Sequence, residues 1–497
     1  VTRLHALPAA LLWLVAGAVL AQTVPVPPGS EDLPVEPGLV GADLAPAGPP
    51  PETPTVSLAG AMRLALENNT SLLAAADSVA TARLSESSTR ADFYPQLTPL
   101  IAFSRDETQL GLDGRQRLPW IGGSLEASAT THDVRGTLPR VNADVRLHLT
   151  QPLLRGLGPN ATFFDLRNAH RARQTQERAL SQTRQDVMVQ VTQTYLQVIQ
   201  QRQLLRVAGQ SLKRSQALRQ ASEARMKVGL VSKLDVFRAE LQASQASEAM
   251  VTAQSSLETA LESFRLVLGI SPHAALEPAP LDLEAQLDQK VEPIATLVER
   301  AFARRPEVAE AQDRVDDARR ALSLAKQNLL PQLDLNLDIA HTGVGSTLSD
   351  SLRRLAPEVG VGVTTSYPLQ RSADRAREAA GVIALRAAER DLAQVRRTVE
   401  ADVRSAARDL ARILQSIELQ RSGLAFAEQQ HRLATLRYQR GLASNFDVVD
   451  AEGNLVSART ALVTLLTEYV VARARLHRAT HDLDLSLFAP AAPAEPQ

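Results

Sequence analysis

The chain of 497 residues carries 54 Lys and Arg against 55 Asp and Glu; it is long enough for about three ordinary domains and exerts no global electrostatic pull toward nucleic acid. It has no cysteine, which excludes disulfides, thiolate metal sites, catalytic thiols and a lipidated N-terminal cysteine. Aromatic residues make up only 3%, too few for an ordinary compact core but enough for long helices packed side by side from Ala, Leu and Val.

The N-terminal residues predict an export signal over 1–21. Arg3 and His5 precede an apolar run from Ala6 to Leu20, and Ala16, Gly17, Ala18 and Ala21 supply the small residues of a cleavage site near Ala21-Gln22. Residues 22–56, rich in Pro and Gly, read as an extended tail, and 489–497 share that character. No other segment reads as long and apolar enough for a transmembrane helix, so an exported chain that reaches a membrane is expected to do so by strands.

From there the chain reads as the same series of elements twice, 57–290 and 291–488. A helical pattern over about 57–92 gives way at Pro95-Gln96-Leu97 to strand-like alternation at Leu97, Ile101 and Phe103. A second strand has Val145, Leu147 and Leu149 against Arg146, His148 and Thr150 and closes at Gln151-Pro152-Leu153-Leu154-Arg155. The second copy answers at Pro331-Gln332-Leu333. There Leu333, Leu335, Leu337 and Ile339 alternate with Asp334, Asn336 and Asp338, Val359, Val361 and Val363 follow, and the region closes at Tyr367-Pro368-Leu369-Gln370-Arg371. The strand region is longer in the first copy, and the excess, about 108–140, is expected to be an external loop.

A long helix follows each strand region, over about 160–226 and 372–438, each spanning roughly 100 Å at 1.5 Å per residue. Val187, Val191, Thr194, Val198, Leu205, Ala208 and Leu212 step mostly by four and three, as do Val399, Val403, Ala406, Leu410, Ile417, Gln420 and Leu424; both helices are expected to pack laterally along much of their length. The shorter helices, near 57–92, 232–268, 294–328 and 445–483, match this length only if they stack end to end.

Each long helix ends in the same block, Lys227-Val228-Gly229-Leu230-Val231-Ser232-Lys233-Leu234-Asp235-Val236 and Gln439-Arg440-Gly441-Leu442-Ala443-Ser444-Asn445-Phe446-Asp447-Val448. Glycine suits the left-handed residue beyond a helix C-terminus. Ser232 with Asp235, like Ser444 with Asp447, forms the Ser-x-x-Asp pattern of a capping box, so both Asp residues have a structural duty before any functional one.

The strands show one apolar and one polar or small face. Read as four per chain, they cannot close a barrel by themselves, since the smallest membrane barrels use about eight; several chains must complete the wall, with Phe93, Tyr94, Phe103, Trp120 and Tyr367 available as interfacial aromatics. No phosphate-binding loop, His-Glu-x-x-His or Gly-x-Ser-x-Gly elbow is present, so no enzymatic activity and no cofactor are expected. His477 and His481, four apart, read as a solvated surface pair rather than metal ligands.

These landmarks together, Pro-Gln-Leu at 95 and 331, Gln-Pro-Leu-Leu-Arg at 151, Tyr-Pro-Leu-Gln-Arg at 367, Val-Gly-Leu-Val-Ser at 228 and Arg-Gly-Leu-Ala-Ser at 440, resemble the TolC-like outer membrane efflux family from about Val56 to Leu487. The resemblance implies a mainly α fold with transmembrane β: a homotrimer with a twelve-stranded barrel in outer membrane lipid and a twelve-helix periplasmic α-helical barrel. It further implies an efflux or type I secretion role beside a periplasmic adaptor protein and an inner membrane pump or ATPase, and no nucleic acid partner. Adaptor docking would fall on Val228, Gly229, Leu230, Val231 and Ser232 and on Arg440, Gly441, Leu442, Ala443 and Ser444. A periplasmic aperture would be ringed by Asp447 and Asp450, and Asp235 with Tyr438 would link the closed tips; where the family often has a basic residue for a further link, this chain has Ala443. The rival readings are an exported coiled-coil scaffold, which leaves the paired strands unexplained, and a periplasmic adaptor, which has one hairpin where this chain has two.

Overall fold

In the computed structural model the described residues are 54–104, 107–134, 140–287 and 292–484. The expected export signal (1–21), residues 22–53 of the Pro-rich tail and the C-terminal tail (489–497) lie outside them. Thr55–Val56, read above as the end of that tail, instead form a short strand, β1, that pairs in parallel with Glu277–Pro278, called β6 below.

The long helices form where the heptad pattern runs without proline. α4 covers Phe164–Lys227 and α9 Ser372–Gln439, 64 and 68 residues. Their buried positions, Val187, Val191, Tyr195 and Val198 on α4 and Val399, Val403, Leu410 and Ile417 on α9, repeat by about three and a half residues and make a lateral seam. Tyr195 and Phe264 meet edge to face at 5.8 Å inside this seam. The Tyr195 hydroxyl donates to Ala279 O at 2.9 Å, fixing the segment that carries β6, and burial pushes the phenol up to about 12.

Short helices line each long one. α1 (Leu58–Asn68), α2 (Thr70–Ala91) and α5 (Lys233–Val267) pack on α4, preceded in the case of α4 by a single turn, α3 (Pro159–Thr162); α6 (Ile294–Arg304), α7 (Pro306–Gln327) and α10 (Asn445–Ala479) pack on α9. One side chain makes the joint between α2 and α5. Asn69 accepts from Ser71 N–H at 3.0 Å as the N-cap of α2, and its amide donates to Val267 O at 2.8 Å at the end of α5. That side chain satisfies both an orphan amide and an orphan carbonyl, so the two helices abut end to end. Gly269, at φ +76, lets the chain pass there, since a Cβ would sit 2.2 Å from Asn68 O.

α10 corrects an expectation. It is long and apolar enough by composition to cross a membrane, yet it lies between α4 and α9, with Leu455, Leu462, Leu466, Tyr469 and Val470 buried. Partners on two sides demand an apolar helix without any lipid.

The sheet brings a larger correction. It has six strands, not four, in the order β2 (Gln96–Phe103), β3 (Glu107–Arg117), β4 (Ser124–Val134), β5 (Arg140–Pro152), β7 (Gln332–Gly345) and β8 (Ala356–Ser366), every neighbour antiparallel. The stretch expected as an external loop is mostly the β3–β4 hairpin; only 135–139 of it lie outside the described residues. A short helix, α8 (Leu348–Arg353), joins β7 to β8 at the end away from the long helices and packs on β7 and β5. Gly343 and Gly345 admit it, because a Cβ on Gly343 would lie 2.1 Å from Ser351 O.

The register places the side chains. Ile101, Leu110, Thr131, Ala143 and Gly343 stand on one face, and one step along lie Pro99, Leu112, Ala129, Val145 and His341. Leu147, Ile339 and Val359 continue that face across the other half of the sheet. The opposite face carries Arg115 with Glu126 at 3.6 Å, His148 with Asp338, and Asn336 with Thr364 at 2.7 Å. Ile101, Phe103, Val359, Val361 and Val363 are each more than 60% exposed, so, apart from the end where α8 covers Ala143 and Gly343, the apolar face is an uncovered surface and not a core.

Candidate functional site: the paired hairpin tips

The two tips are built alike. At the first, Leu230 N–H donates to Arg225 O at 2.9 Å and Gly229 N–H to Met226 O at 3.0 Å, with Gly229 at φ +73. At the second, Leu442 N–H donates to Arg437 O at 2.8 Å and Gly441 N–H to Tyr438 O at 3.0 Å, with Gly441 at φ +76. Paired bonds of this kind around a left-handed glycine close a helix and return the chain at once. The next helix then starts on a full capping box: Ser232 N–H donates to Asp235 Oδ2 at 3.2 Å and Asp235 N–H to Ser232 Oγ at 3.2 Å, while the Ser444–Asp447 bonds are 2.7 and 3.4 Å.

The residues named for docking fall on the outside of these turns. Val228, Leu230 and Leu442 are 69%, 74% and 68% exposed; Leu234, Phe237 and Phe446 beside them are also exposed. Gly229, Ser232, Arg440, Gly441 and Ser444 are exposed and Val231 and Ala443 half-buried.

Asp447 and Asp450 both lie exposed on the first turns of α10. Hydrogen bonds from the Ser444 backbone and hydroxyl hold the Asp447 carboxyl below the ordinary carboxylate range, and Arg437 adds to the effect. Asp450 has a different partner, accepting from the Asn454 amide at 3.3 Å.

Asp235 and Tyr438 do not meet through a hydrogen bond. Asp235 is engaged by Ser232 and lies 3.9 Å from Arg238, whereas Tyr438 is buried and its hydroxyl lies 3.0 Å from that of Ser222. The two hairpins are instead tied by other groups. Arg225 stacks over the Tyr438 ring at 4.4 Å and donates to the carbonyls of Tyr438 and Gln439 at 2.7 and 2.9 Å. Asn445, itself buried, donates its amide to Asp235 O at 2.7 Å. Higher up, the buried Glu452 receives Arg214 through two bonds of 2.7 and 2.8 Å, and His431 lies 3.1 Å away. Burial depresses the His431 pKa; Glu452 opposes this and Arg214 and Arg459 reinforce it. A cavity of about 430 Å³ lies between these ties, lined by Arg214, His431, Tyr438 and Glu452 among others.

Sequence reasoning missed Ser222, Arg225, Arg214, Asn445 and Glu452. The one available signal was polar residues within otherwise apolar helix faces. His477 and His481 are also corrected: they are half-buried and have separate partners, Asp482 at 3.0 Å and Ser181 at 3.1 Å. A left-handed turn at His481 (φ +55) sends the two rings to different neighbours.

Comparison with known proteins agrees with this geometry. The family described as "Outer membrane efflux protein" matches residues 61–270 and 297–480. The outer membrane efflux protein BepC of Brucella suis is 26% identical over 373 residues, 73% of this chain and 76% of that protein. The outer membrane protein TolC of Escherichia coli is 27% identical over 259 residues, about half of each chain at 50% and 51%. The fold is similar to that of the Neisseria gonorrhoeae MtrE outer membrane channel, with a TM-score of 0.64 and 17% identity over 85% of this chain and 88% of that one. Long helices ending in capped tips, a sheet with an uncovered apolar face and a family match over most of the sequence lead to one assignment: the chain belongs to the outer membrane efflux protein family.

Proposed function

We propose that the protein is the exit duct of a tripartite efflux or type I secretion system, a homotrimer that conducts cargo passively from the periplasm through the outer membrane while a pump or ATPase supplies the energy. The sheet carries this reading: its apolar face is open, its opposite face is polar, and it is continuous with helices roughly 100 Å long. The regions 57–290 and 291–488 act as two copies of one hairpin unit, as their matching tips suggest.

A periplasmic adaptor docks on the apolar tips around Leu230, Phe237, Leu442 and Phe446, whose exposure is costly unless a partner covers them. Three copies bring Asp447 and Asp450 together at the axis, where a ring of carboxylates favours cations. The closed state is held by the ties between the two hairpins of each chain, chiefly Arg225 on the carbonyls beside Tyr438 and Tyr438 on Ser222. Opening separates the α9–α10 hairpin from the α4–α5 hairpin when the adaptor binds.

Single-channel recording in a planar bilayer tests the reading. Wild type is expected to form low-conductance, cation-selective pores, and Asp447→Asn/Asp450→Asn to lose much of that selectivity. Unchanged selectivity removes the acids from the aperture. Reproducible failure to insert removes the channel.

A further inference from the structure

The β3–β4 hairpin was not expected, and its placement in the sheet changes the membrane wall. It is inserted between β2 and β5, hydrogen-bonded on both sides. Its apolar residues are in phase with the wall: Leu110 stands opposite Ile101, and Ala127 opposite Leu147. Its polar residues share the other face, where Arg115 meets Glu126 and Glu126 stands opposite His148. A flap lying on the membrane or folded into the lumen has no reason to keep this alternation in register with its neighbours on both sides.

The turn between β3 and β4 fixes the height of the hairpin. It returns to the junction of sheet and helices, where Gln151 donates its amide to Ile121 O at 2.9 Å and Trp120 packs edge to face on Phe163 at 5.4 Å. Gly122, at φ +79, has room only for hydrogen, since a Cβ would lie 2.6 Å from Gly156 O. Each arm of the hairpin has 11 residues, the length that a tilted membrane strand needs, about 9–11.

We infer that the β3–β4 hairpin is a membrane-spanning part of the wall, so that each chain contributes six strands and three chains close a barrel of eighteen rather than twelve. This rests on the trimeric duct proposed above. Because six is even and every neighbour is antiparallel, the edge strands β2 and β8 run in opposite directions. The β8 edge of one copy therefore meets the β2 edge of the next in the antiparallel sense that a barrel requires. Barrel diameter grows with strand number, so the outer membrane opening is wider than a twelve-stranded one.

The test exploits the absence of native cysteine. Single cysteines are placed in the full-length protein at Leu112→Cys and Asp113→Cys in β3, and at Val361→Cys and Gly360→Cys in β8, where a Cβ has room. Each is treated in outer membrane vesicles with a membrane-impermeant maleimide. Asp113→Cys and Gly360→Cys are expected to label, while Leu112→Cys and Val361→Cys stay protected and react only with a lipid-soluble reagent. Labelling of Leu112→Cys as fast as Asp113→Cys, with Val361→Cys protected, overturns the inference and leaves the duct standing. Labelling of Val361→Cys as well overturns the membrane wall and the inference with it. Strand counting in single-particle images of the unmodified assembly is independent of these variants: eighteen supports the inference and twelve overturns it.

Discussion

The helical hairpins and the sheet separate apolar from polar residues in opposite senses. On α4 and α9 the apolar seam turns inward and meets α5 and α10, leaving charged residues outside. On the sheet the apolar residues turn outward and stay uncovered, and the paired polar groups occupy the other face. The difference tells which solvent each region is built for: water around the helices, hydrocarbon around the strands. Polar groups differ in role as well. In the sheet they line a face, whereas between the hairpins they are buried ties at the few points where the two hairpins touch near the tips.

Removing a tie should have the largest effect. Glu452→Ala leaves Arg214 and His431 facing each other in a partly buried site and is expected to cost up to about 3–5 kcal/mol; thermal unfolding of the helical portion measures it, and an unchanged midpoint would make the cluster incidental. The strand face comes next. Val361→Arg should cost about 2–4 kcal/mol in membrane stability and Gly362→Arg on the opposite face little, read from heat-resistant oligomers on gels; equal effects of the two would erase the distinction between the faces. Tyr438→Phe leaves the buried Ser222 hydroxyl without its partner, at about 1–3 kcal/mol, and should raise the channel's open probability. Ser444→Ala removes an N-cap at about 1 kcal/mol, seen as faster hydrogen exchange in the first turn of α10.

The smallest effect is of pH. Because burial lowers the His431 pKa in the folded protein, the stability it contributes is present above the ordinary value of 6.5 and is lost as pH falls through the lowered one. His431→Gln should flatten the decline of a stability profile as pH falls below the ordinary histidine range. If wild type and variant lose stability in parallel, another group is responsible.

The legible parts of the sequence were those set by local chemistry. Gly229 and Gly441 with Ser-x-x-Asp fix the tips within ten residues, and the proline-free heptads of α4 and α9 fix the long helices. The β3–β4 hairpin was hidden because Gly114 and Gln116 follow Leu110 and Leu112 on the outward face of β3, and Ala127, Ala129 and Thr131 follow Leu125 on that of β4, so its alternation is weak until the neighbouring strands supply the rest of the surface. α10 misled in the other direction, since burial between two helices and burial in lipid call for the same composition. The ties were hidden for a third reason: Arg214 and Glu452, or Ser222 and Tyr438, are partners only after two hairpins more than two hundred residues apart are brought together. Tyr438 was singled out, and within the chain its hydroxyl lies beside that of Ser222 on α4.

Trapping the tips gives the most direct measurement of the central claim that they must part for cargo to pass. Cysteines at Ser222 and Tyr438, whose side-chain oxygens lie 3.0 Å apart, are joined by a short cleavable thiol linker in cells, and efflux of a fluorescent dye is followed before and after cleavage. The account predicts that the linked protein stays in the membrane but exports nothing, and that cleavage restores export. Dye efflux through the linked protein at the rate of the cleaved one would contradict it.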